Sequence, residues 1–220
     1  MTVTSLTSVV TWGDELYADA LRTGRGPLFL RRPDGWLLPL DVERWCGGVD
    51  ATDLSVLRRC AGPVLDVGCG PGRFVAALSE RGDTALGIDV SAAAVDRTVD
   101  GGGLAECRSV FDPLPGEGTW GTVLLMDGNI GIGGDPAALL RRVARLVRPG
   151  GVLLAEVAPV DVDERLTVHV DNGRGDRGGA FPWARLGAPA LHRLAQDGGW
   201  TPGERWTGGE RAFLALRRTP

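Results

Sequence analysis

From Val64 onward, short runs of apolar residues alternate with segments whose apolar residues recur at helical spacing. Five runs are predicted to be strands: residues 64–67, 85–88, 105–110, 123–126 and 151–157. Apolar runs without polar alternation are typical of strands buried on both faces of a sheet. Three intervening segments predict helices: residues 74–80, 92–99 and the amphipathic stretch after Asp135-Pro136. Repeated strand–helix units predict an α/β fold with a doubly wound parallel sheet.

The segments on either side of this regular pattern predict further elements. Before it, residues 14–21 predict a short helix, and residues 28–31 and 36–38 flank the turn sequence Pro33-Asp34-Gly35. A helix is also predicted after Asp50. After the fifth strand, the pattern predicts a hairpin of residues 166–170 and 181–183, followed by a helix at residues 189–197. Two closing strands are predicted at residues 200–206 and 212–216.

These elements predict one domain over residues 1–220. Residues 1–50 are interpreted as an N-terminal cover. Residues 51–220 are interpreted as the core, with a hairpin inserted at about 165–184. A chain of this length is long enough to bury a sizeable core.

Charge and composition then exclude several kinds of function. The 24 basic and 28 acidic residues give a formal charge of −4 without a run of like charge, so a nucleic-acid partner is not expected. No stretch approaches the roughly 18 apolar residues of a membrane span, so the protein is expected to be cytoplasmic without a membrane partner. All basic residues are arginines, and the absence of lysine excludes Schiff-base chemistry and a Walker motif. The four cysteines are widely spaced, and no metal site is predicted.

The sequence VLDVGCGPGRF at residues 64–74 places three glycines between a predicted strand and a predicted helix. Ligands of open α/β sheets bind at such turns, where the bare backbone allows close approach. Asp66 precedes the turn, where its charge would repel a pyrophosphate but attract an amino group. Asp89 closes the second strand, in a position to accept hydrogen bonds from ribose hydroxyls. A nucleoside that carries an amino acid fits both carboxylates better than a dinucleotide does.

Three motifs make the chain resemble the class I S-adenosylmethionine-dependent methyltransferases of the small-molecule type. They are VLDVGCGPGRF, GIDVS at residues 87–91 and RLVRPGGVLLAE at residues 145–156. The resemblance implies a Rossmann-like sheet of seven strands, the last of them antiparallel, and S-adenosylmethionine as cofactor. It also implies that Asp89 holds the ribose and that the loop from Gly68 to Gly72 cradles the methionine part. The predicted cofactor contacts are Asp66, Gly68, Cys69, Gly70, Arg73, Asp89, Val90, Ser109, Val110 and Asp127.

Two of these contacts leave alternatives open. Arg73 would meet the methionine carboxylate or, alternatively, lie on the surface. For the adenine amine, family members often use a Gly-Asp pair, but the corresponding stretch here reads Arg108-Ser109-Val110-Phe111-Asp112. The side chain of Ser109 or that of Asp112 would take this role, while the backbone of Val110 would pair with a ring nitrogen.

Catalytic candidates are less well marked than cofactor contacts. In-line methyl transfer depends mainly on alignment, and a general base is optional. His169, Asp127 and Tyr17 are the candidates, although His169 alternates with apolar residues on its strand and would equally suit a solvent-facing position. His192 is interpreted as structural. Asp127 and Asn129 would face the methionine end or the acceptor, or would belong to a turn before the next helix.

The aromatic residues outside the regular pattern would wall an acceptor pocket or fasten the cover to the sheet. They are Trp12, Tyr17, Phe29, Trp36, Trp45, Phe181 and Trp183. We therefore expect methyl transfer to a small-molecule acceptor, with a bacterial secondary metabolite as one candidate. A non-catalytic module that binds the same cofactor and a nicotinamide-dependent oxidoreductase are the alternatives.

Overall fold

The computed structural model describes residues 14–219, so Trp12 lies outside the described residues. The strands in chain order are β1 (Phe29–Arg31), β2 (Leu37–Pro39), β3 (Val64–Val67), β4 (Ala85–Asp89), β5 (Ala105–Cys107), β6 (Trp120–Leu125), β7 (Val147–Val157), β8 (Asp163–Asp171), β9 (Arg177–Leu186), β10 (Trp200–Gly208) and β11 (Arg211–Arg218). The helices are α1 (Asp14–Thr23), α2 (Val42–Cys46), α3 (Ala51–Leu57), α4 (Arg73–Glu80), α5 (Ala92–Asp100), α6 (Pro136–Leu146) and α7 (Ala188–Asp197), and a 3-10 segment spans Asn129–Gly134.

Seven strands form the larger sheet, in the spatial order β5-β4-β3-β6-β7-β11-β10. Strands β3 to β7 pair in parallel, whereas β11 runs antiparallel to both β7 and β10. The predicted doubly wound sheet with an antiparallel last strand is therefore confirmed. The order reverses at β3, and in such sheets the ligand crevice lies outside the carboxyl ends of the strands at this point.

Alternate residues of the central strands face two separate hydrophobic clusters. Leu65, Val123 and Leu153 pack with α6 and α7 on one face, while the neighbouring residues Val64, Leu124 and Leu154 pack with α3 and α4 on the other. Burial on both faces explains why the strands appear in the sequence as continuous apolar runs.

The smaller sheet joins the two hairpins that the sequence predicts separately. Its four strands lie in the order β2-β1-β8-β9 and are all antiparallel, with Leu30 of β1 opposite Val170 of β8. The apolar face of this sheet packs with α1, through residues that include Leu30, Val168, Val170, Phe181 and Trp183. We call the unit formed by α1, α2 and the smaller sheet the cover.

Several details differ from the predicted elements, among them β5, α2 and β7. Strand β5 ends at Cys107 rather than near Val110, because residues 109–112 form a turn in which Asp112 N–H donates to the Ser109 carbonyl at 3.1 Å. Helix α2 was not predicted, since its five residues are too few to show a helical period. Strand β7 begins at Val147, before the predicted Gly151.

Among residues 14–219, no helix has both the length and the apolar character needed to cross a membrane.

Candidate active site

The glycine turn between β3 and α4 is fixed by the protein's own side chains at two of its three glycines. Gly68 and Gly72 have φ of 70° and 84°, a region that favours glycine. A Cβ on Gly68 would lie 2.5 Å from Asn129 Nδ2, and one on Gly72 would lie 2.5 Å from Thr98 Cγ2. Asn129 also donates to the carbonyls of Val67 and Gly68 at 2.9 Å. Gly68 and Gly72 are therefore required by Asn129 and Thr98 of the protein itself, in addition to any close approach of a ligand.

Two adjoining cavities open at the carboxyl ends of the central strands. The larger, of about 430 Å³, is lined by Asp89, Val90 and the 109–112 turn. The smaller, of about 230 Å³, lies between the glycine turn and the cover. Both are lined by Tyr17, Gly68, Asn129 and Trp183. The arrangement can hold one extended ligand that passes the glycine turn.

Asp89 connects the glycine turn to the larger cavity. Its Oδ2 accepts a hydrogen bond from the Gly70 N–H at 3.0 Å, and its Oδ1 accepts one from the Ser91 N–H at 2.9 Å. Burial raises the pKa of this carboxyl, and the backbone hydrogen bonds oppose that shift. A carboxylate has about four acceptor sites, so Asp89 keeps capacity for hydroxyl groups of a ligand.

The 109–112 turn satisfies most of its own backbone groups. Ser109 Oγ accepts from the Phe111 N–H at 3.2 Å, and Asp112 Oδ2 accepts from the Ser109 N–H at 3.1 Å. The side chains of Ser109 and Asp112, the two predicted partners of an adenine amine, therefore both accept hydrogen bonds from N–H groups of the turn itself. In the described part of the chain, the Val110 N–H donates to no protein group. Val90 and Phe111, each 46% exposed, add apolar surface to the same cavity.

Buried and half-buried arginines and carboxylates form a network beside the smaller cavity. Arg73 donates through Nε to Asp53 Oδ2 at 3.0 Å and through Nη1 to Asp127 Oδ2 at 2.7 Å. The side chains of Arg73 and Asp53 are 4% and 0% exposed. Arg44 Nη1 reaches Asp127 Oδ1 at 2.7 Å. We call this set the arginine–carboxylate network; its members are Arg44, Arg73, Arg211, Asp53, Asp127 and Glu156.

The ion pairs of the network lower the pKa values of Asp53 and Asp127 and so keep these carboxyls ionised. Burial acts to raise the pKa of Asp53, but the guanidinium groups of Arg73 and Arg211 outweigh it and hold that pKa below its usual value. For Asp127, burial is likewise outweighed by Arg73, Arg44 and Arg211, so its pKa is lowered. Of the two alternatives for Arg73, a surface position is therefore wrong: the residue is buried and paired.

Asp127 occupies an unusual backbone conformation. Its φ of 54° lies in the left-handed region, and its N–H donates to Glu156 Oε2 at 2.9 Å. Such strain persists only where surrounding contacts hold it, and it concentrates at functional sites. Because its oxygens accept from arginines and its pKa is lowered, Asp127 is a poor general base. The geometry favours a role in shape and charge at the smaller cavity.

Two buried polar atoms near the site find no partner among residues 14–219: Asp66 Oδ2 and Trp45 Nε1. Asp66 is 2% exposed, and burial raises its pKa to about 7, with Arg73 opposing and the neighbouring carboxylates reinforcing the shift. An unsatisfied buried polar group costs about 1–3 kcal/mol. Trp45 lines the smaller cavity, whereas Asp66 lines neither cavity and lies in β3, two residues before Gly68.

The structure brings together some of the candidate residues and separates others. Tyr17 lines both cavities, and burial raises its pKa well above the usual value, so its hydroxyl stays protonated. Cys69 lines the smaller cavity. His169 lies on the face of β8 opposite the buried valines, with Nδ1 3.0 Å from the Gly178 carbonyl, and it lines neither cavity. His192 is exposed on α7.

Most of the arginine–carboxylate network was missed by sequence reasoning. Asp53, Glu156 and Arg211 come from a helix and two strands that lie far apart in the sequence. Two signals were available: Glu156 closes the motif RLVRPGGVLLAE, and Asp53 lies in the first turn of a predicted helix, where an acidic residue is usually interpreted as a capping group. It does complete a capping box with Asp50 and also enters the network.

Comparison with known proteins then defines the class: the chain belongs to the methyltransferase-domain family, whose model matches residues 51–201. A ubiquinone biosynthesis O-methyltransferase of Pseudomonas paraeruginosa is 36% identical over 97 residues, a match that covers 40% of this chain and 40% of that protein. The chain thus matches only two fifths of the length of this curated relative.

Solved structures share the fold. An S-adenosylmethionine-dependent methyltransferase of Bacteroides fragilis, in complex with S-adenosylhomocysteine, superposes with a TM-score of 0.78 at 21% identity, over 94% of each chain. The 1,6-didemethyltoxoflavin N1-methyltransferase of Burkholderia thailandensis gives a TM-score of 0.56 at 19% identity, over 76% of this chain and 75% of that one. At these identities the likeness shows the fold alone.

Proposed function

We propose that the protein transfers a methyl group from S-adenosylmethionine to a small-molecule acceptor. The observation that carries this proposal is the position of Asp89, whose carboxylate ties the glycine turn and lines the larger cavity in a chain of the methyltransferase-domain family. The named small-molecule methyltransferases among the similar structures support the acceptor class. Within this class, a bacterial secondary metabolite is our specific proposal.

The residues present fit this cofactor along its whole length. In the larger cavity, Asp89 would accept from the two ribose hydroxyls, and Val90 and Phe111 would contact the faces of the adenine ring. The methionine part would pass Gly68 and Gly70 toward the smaller cavity. Asp66 lines neither cavity, but it lies in β3 two residues before Gly68, and its Oδ2 has no partner among residues 14–219. A buried carboxylate without a partner suits an ammonium group.

The acceptor would lie in the smaller cavity, under the cover. Leu30 and Leu38 from the first hairpin and Leu186 from β9 give it an apolar wall, and Arg73, Asp127 and Glu156 of the arginine–carboxylate network line it as well. Its volume of about 230 Å³ is below the roughly 300–1,000 Å³ of drug-sized sites, which favours a compact acceptor. The cofactor supplies an activated methyl group, so the protein contributes alignment and exclusion of water, effects worth about 7–11 kcal/mol in favourable cases.

Titration calorimetry and a transfer assay test the proposal. We expect S-adenosylhomocysteine to bind and NAD to give no heat, because a pyrophosphate would meet the carboxyl of Asp66. Radiolabelled S-adenosylmethionine is then incubated with the protein and bacterial small-molecule extracts, and a labelled product is expected. Tight NAD binding without a response to S-adenosylhomocysteine would overturn the proposal. Binding without transfer to any extract fraction would favour a non-catalytic module instead.

Cofactor affinity is expected to depend on pH through Asp66. Because the pKa of this carboxyl is about 7 in the free protein, it becomes neutral below that pH and attracts the ligand ammonium less. We expect the dissociation constant of S-adenosylhomocysteine to rise by about tenfold from pH 7.5 to 5.5, a range in which the ammonium group of the ligand's free amino acid stays charged. The variant Asp66→Asn should bind more weakly at pH 7.5 and show a flat profile. A pH dependence unchanged by this substitution would contradict the assignment.

Trp183 and Trp36 provide a matched pair for testing the cavity wall. Trp183 is buried and lines both cavities, whereas Trp36 stacks between Arg32 and Arg185 outside them. We expect Trp183→Leu to weaken S-adenosylhomocysteine binding by about three- to tenfold, the usual size of an aromatic contact. Trp36→Leu should leave it within about twofold. Equal effects of the two substitutions in calorimetry would show that the wall is assigned wrongly.

A further inference from the structure

Arg142 lies inside the molecule although no ligand cavity touches it. It belongs to α6, its side chain is 5% exposed, and it lines neither of the two cavities. Its Nε donates to the Val110 carbonyl at 2.7 Å, and its Nη2 donates to the Asp112 carbonyl at 2.6 Å. A buried guanidinium that donates to two carbonyls only two residues apart fixes the backbone between them.

Glu117 completes the arrangement on the other side of the guanidinium. Its Oε2 accepts from Arg142 Nη1 at 2.9 Å and its Oε1 from Nη2 at 2.6 Å, a bidentate pair. Oε1 also accepts from the Leu114 N–H at 3.0 Å. The hydrogen bonds from Arg142 hold the pKa of Glu117 well below its usual value, so the pair stays ionised at neutral pH.

A count of the backbone groups in the 109–112 turn shows what this pair leaves available. Three N–H groups are taken inside the turn, those of Ser109, Phe111 and Asp112. Two carbonyls, those of Val110 and Asp112, are taken by Arg142. Within the described chain, the N–H of Val110 is the donor left over, and Val110 lines the larger cavity. An amide donor held at a fixed place is suited to a ring nitrogen with a lone pair.

We propose that the Arg142–Glu117 pair is a positioning element for nucleobase selection: it holds the 109–112 turn so that the Val110 N–H pairs with an acceptor nitrogen of adenine. This inference rests on the proposed function. A purine that carries a hydrogen at the same nitrogen, as hypoxanthine does, would set donor against donor and leave the Val110 N–H unsatisfied. The pair thereby acts on the base without contacting it.

The test measures selectivity rather than affinity alone. Dissociation constants of S-adenosylhomocysteine and S-inosylhomocysteine are determined by calorimetry for the wild type, Arg142→Met, Arg142→Lys and Glu117→Gln. We expect the wild type to prefer the adenine ligand by about tenfold or more, the scale of one unsatisfied buried group. In Arg142→Met the preference should fall to about threefold or less, because the turn is no longer held. Arg142→Lys, which keeps the charge but lacks the fork, should lie between them.

Two controls separate this role from general stability. Arg141 is the exposed neighbour of Arg142, and Arg141→Met makes the same change of charge without altering the turn, so its preference should equal that of the wild type. Glu117→Gln keeps the shape of the pair and serves if Arg142→Met does not fold. A variant that binds both ligands more weakly by the same factor would assign Arg142 a structural role only and overturn the proposal. A wild type that binds neither ligand would instead count against the proposed function.

Discussion

Replacement of Arg73 by methionine is expected to lower the free energy of unfolding by about 3–5 kcal/mol at pH 7, the range found when one partner of a buried ion pair is removed. Asp53 has no exposed surface and would keep only Arg211 as an ion-pair partner, while Asp127 would keep Arg44 and a more distant Arg211. Chemical denaturation followed by tryptophan fluorescence measures the change.

The loss of stability in Arg73→Met is expected to depend on pH, because it arises from ionised carboxylates. In the wild type the pKa values of Asp53 and Asp127 are lowered, so their contribution to stability is present above the unfolded pKa and is lost as pH falls through the folded pKa. In Arg73→Met, ionisation of these two carboxyls stabilises the folded state less than it does in the wild type. The difference between the two proteins should therefore be largest near pH 7 and shrink below about pH 4.

A surface arginine and a second substitution serve as controls. Arg58→Met removes a charge at an exposed position and should change stability by no more than about 0.5 kcal/mol. Adding Asp127→Asn to Arg73→Met removes a carboxylate that has lost one of its guanidinium partners and should recover part of the loss. A loss below about 1 kcal/mol for Arg73→Met alone would show that the arginine–carboxylate network does not depend on this residue.

Replacement of Asp89 by alanine should weaken S-adenosylhomocysteine binding by about 3 kcal/mol, or roughly 150-fold. Two effects act together. The ribose hydroxyls lose a charged acceptor, and the Gly70 N–H loses the carboxylate that fixes the glycine turn at 3.0 Å. The loss should therefore exceed that expected for a single hydrogen bond. Calorimetry at pH 7.5 gives the affinity, and circular dichroism establishes that the variant is folded.

Asp96 provides the matched control for this experiment. It is exposed on α5, outside both cavities, so Asp96→Ala should leave the affinity within about twofold. Asp89→Asn retains one acceptor oxygen and should lie between the wild type and Asp89→Ala. An affinity for Asp89→Ala equal to that of the wild type would contradict the placement of the ribose.

The larger sheet could be predicted from the sequence because the signals for its strands and helices lie within or beside each element. Strand β3 matches the predicted bounds, since a continuous apolar run between turn residues marks a strand buried on both faces. Helix α6 was equally well marked by Asp135, whose side chain accepts from the Ala138 N–H at 3.0 Å, and by Pro136 in the first turn. Both signals lie within a few residues of the element that they define.

What the sequence could not predict depends on contacts between distant segments. The pairing of β1 with β8 joins two hairpins about 140 residues apart, and neither hairpin carries a signal for the other. The same holds for Arg73, whose two carboxylate partners come from α3 and from the end of β6. At Gly68 the motif was informative, but the reason for it was Asn129, which lies on a different loop. Tertiary neighbours, rather than local pattern, decide these features.

The four-stranded sheet of the cover also constrains the order of events during synthesis. The β1–β2 ribbon leaves the ribosome early, and a two-stranded ribbon alone is only marginally stable in water. Its partner strand, β8, emerges only after β3 to β7 have been made. The nascent chain therefore makes β3 to β7 before Trp183 of β9, and because Trp183 lines both cavities, neither cavity can be complete until the strands of the cover have paired.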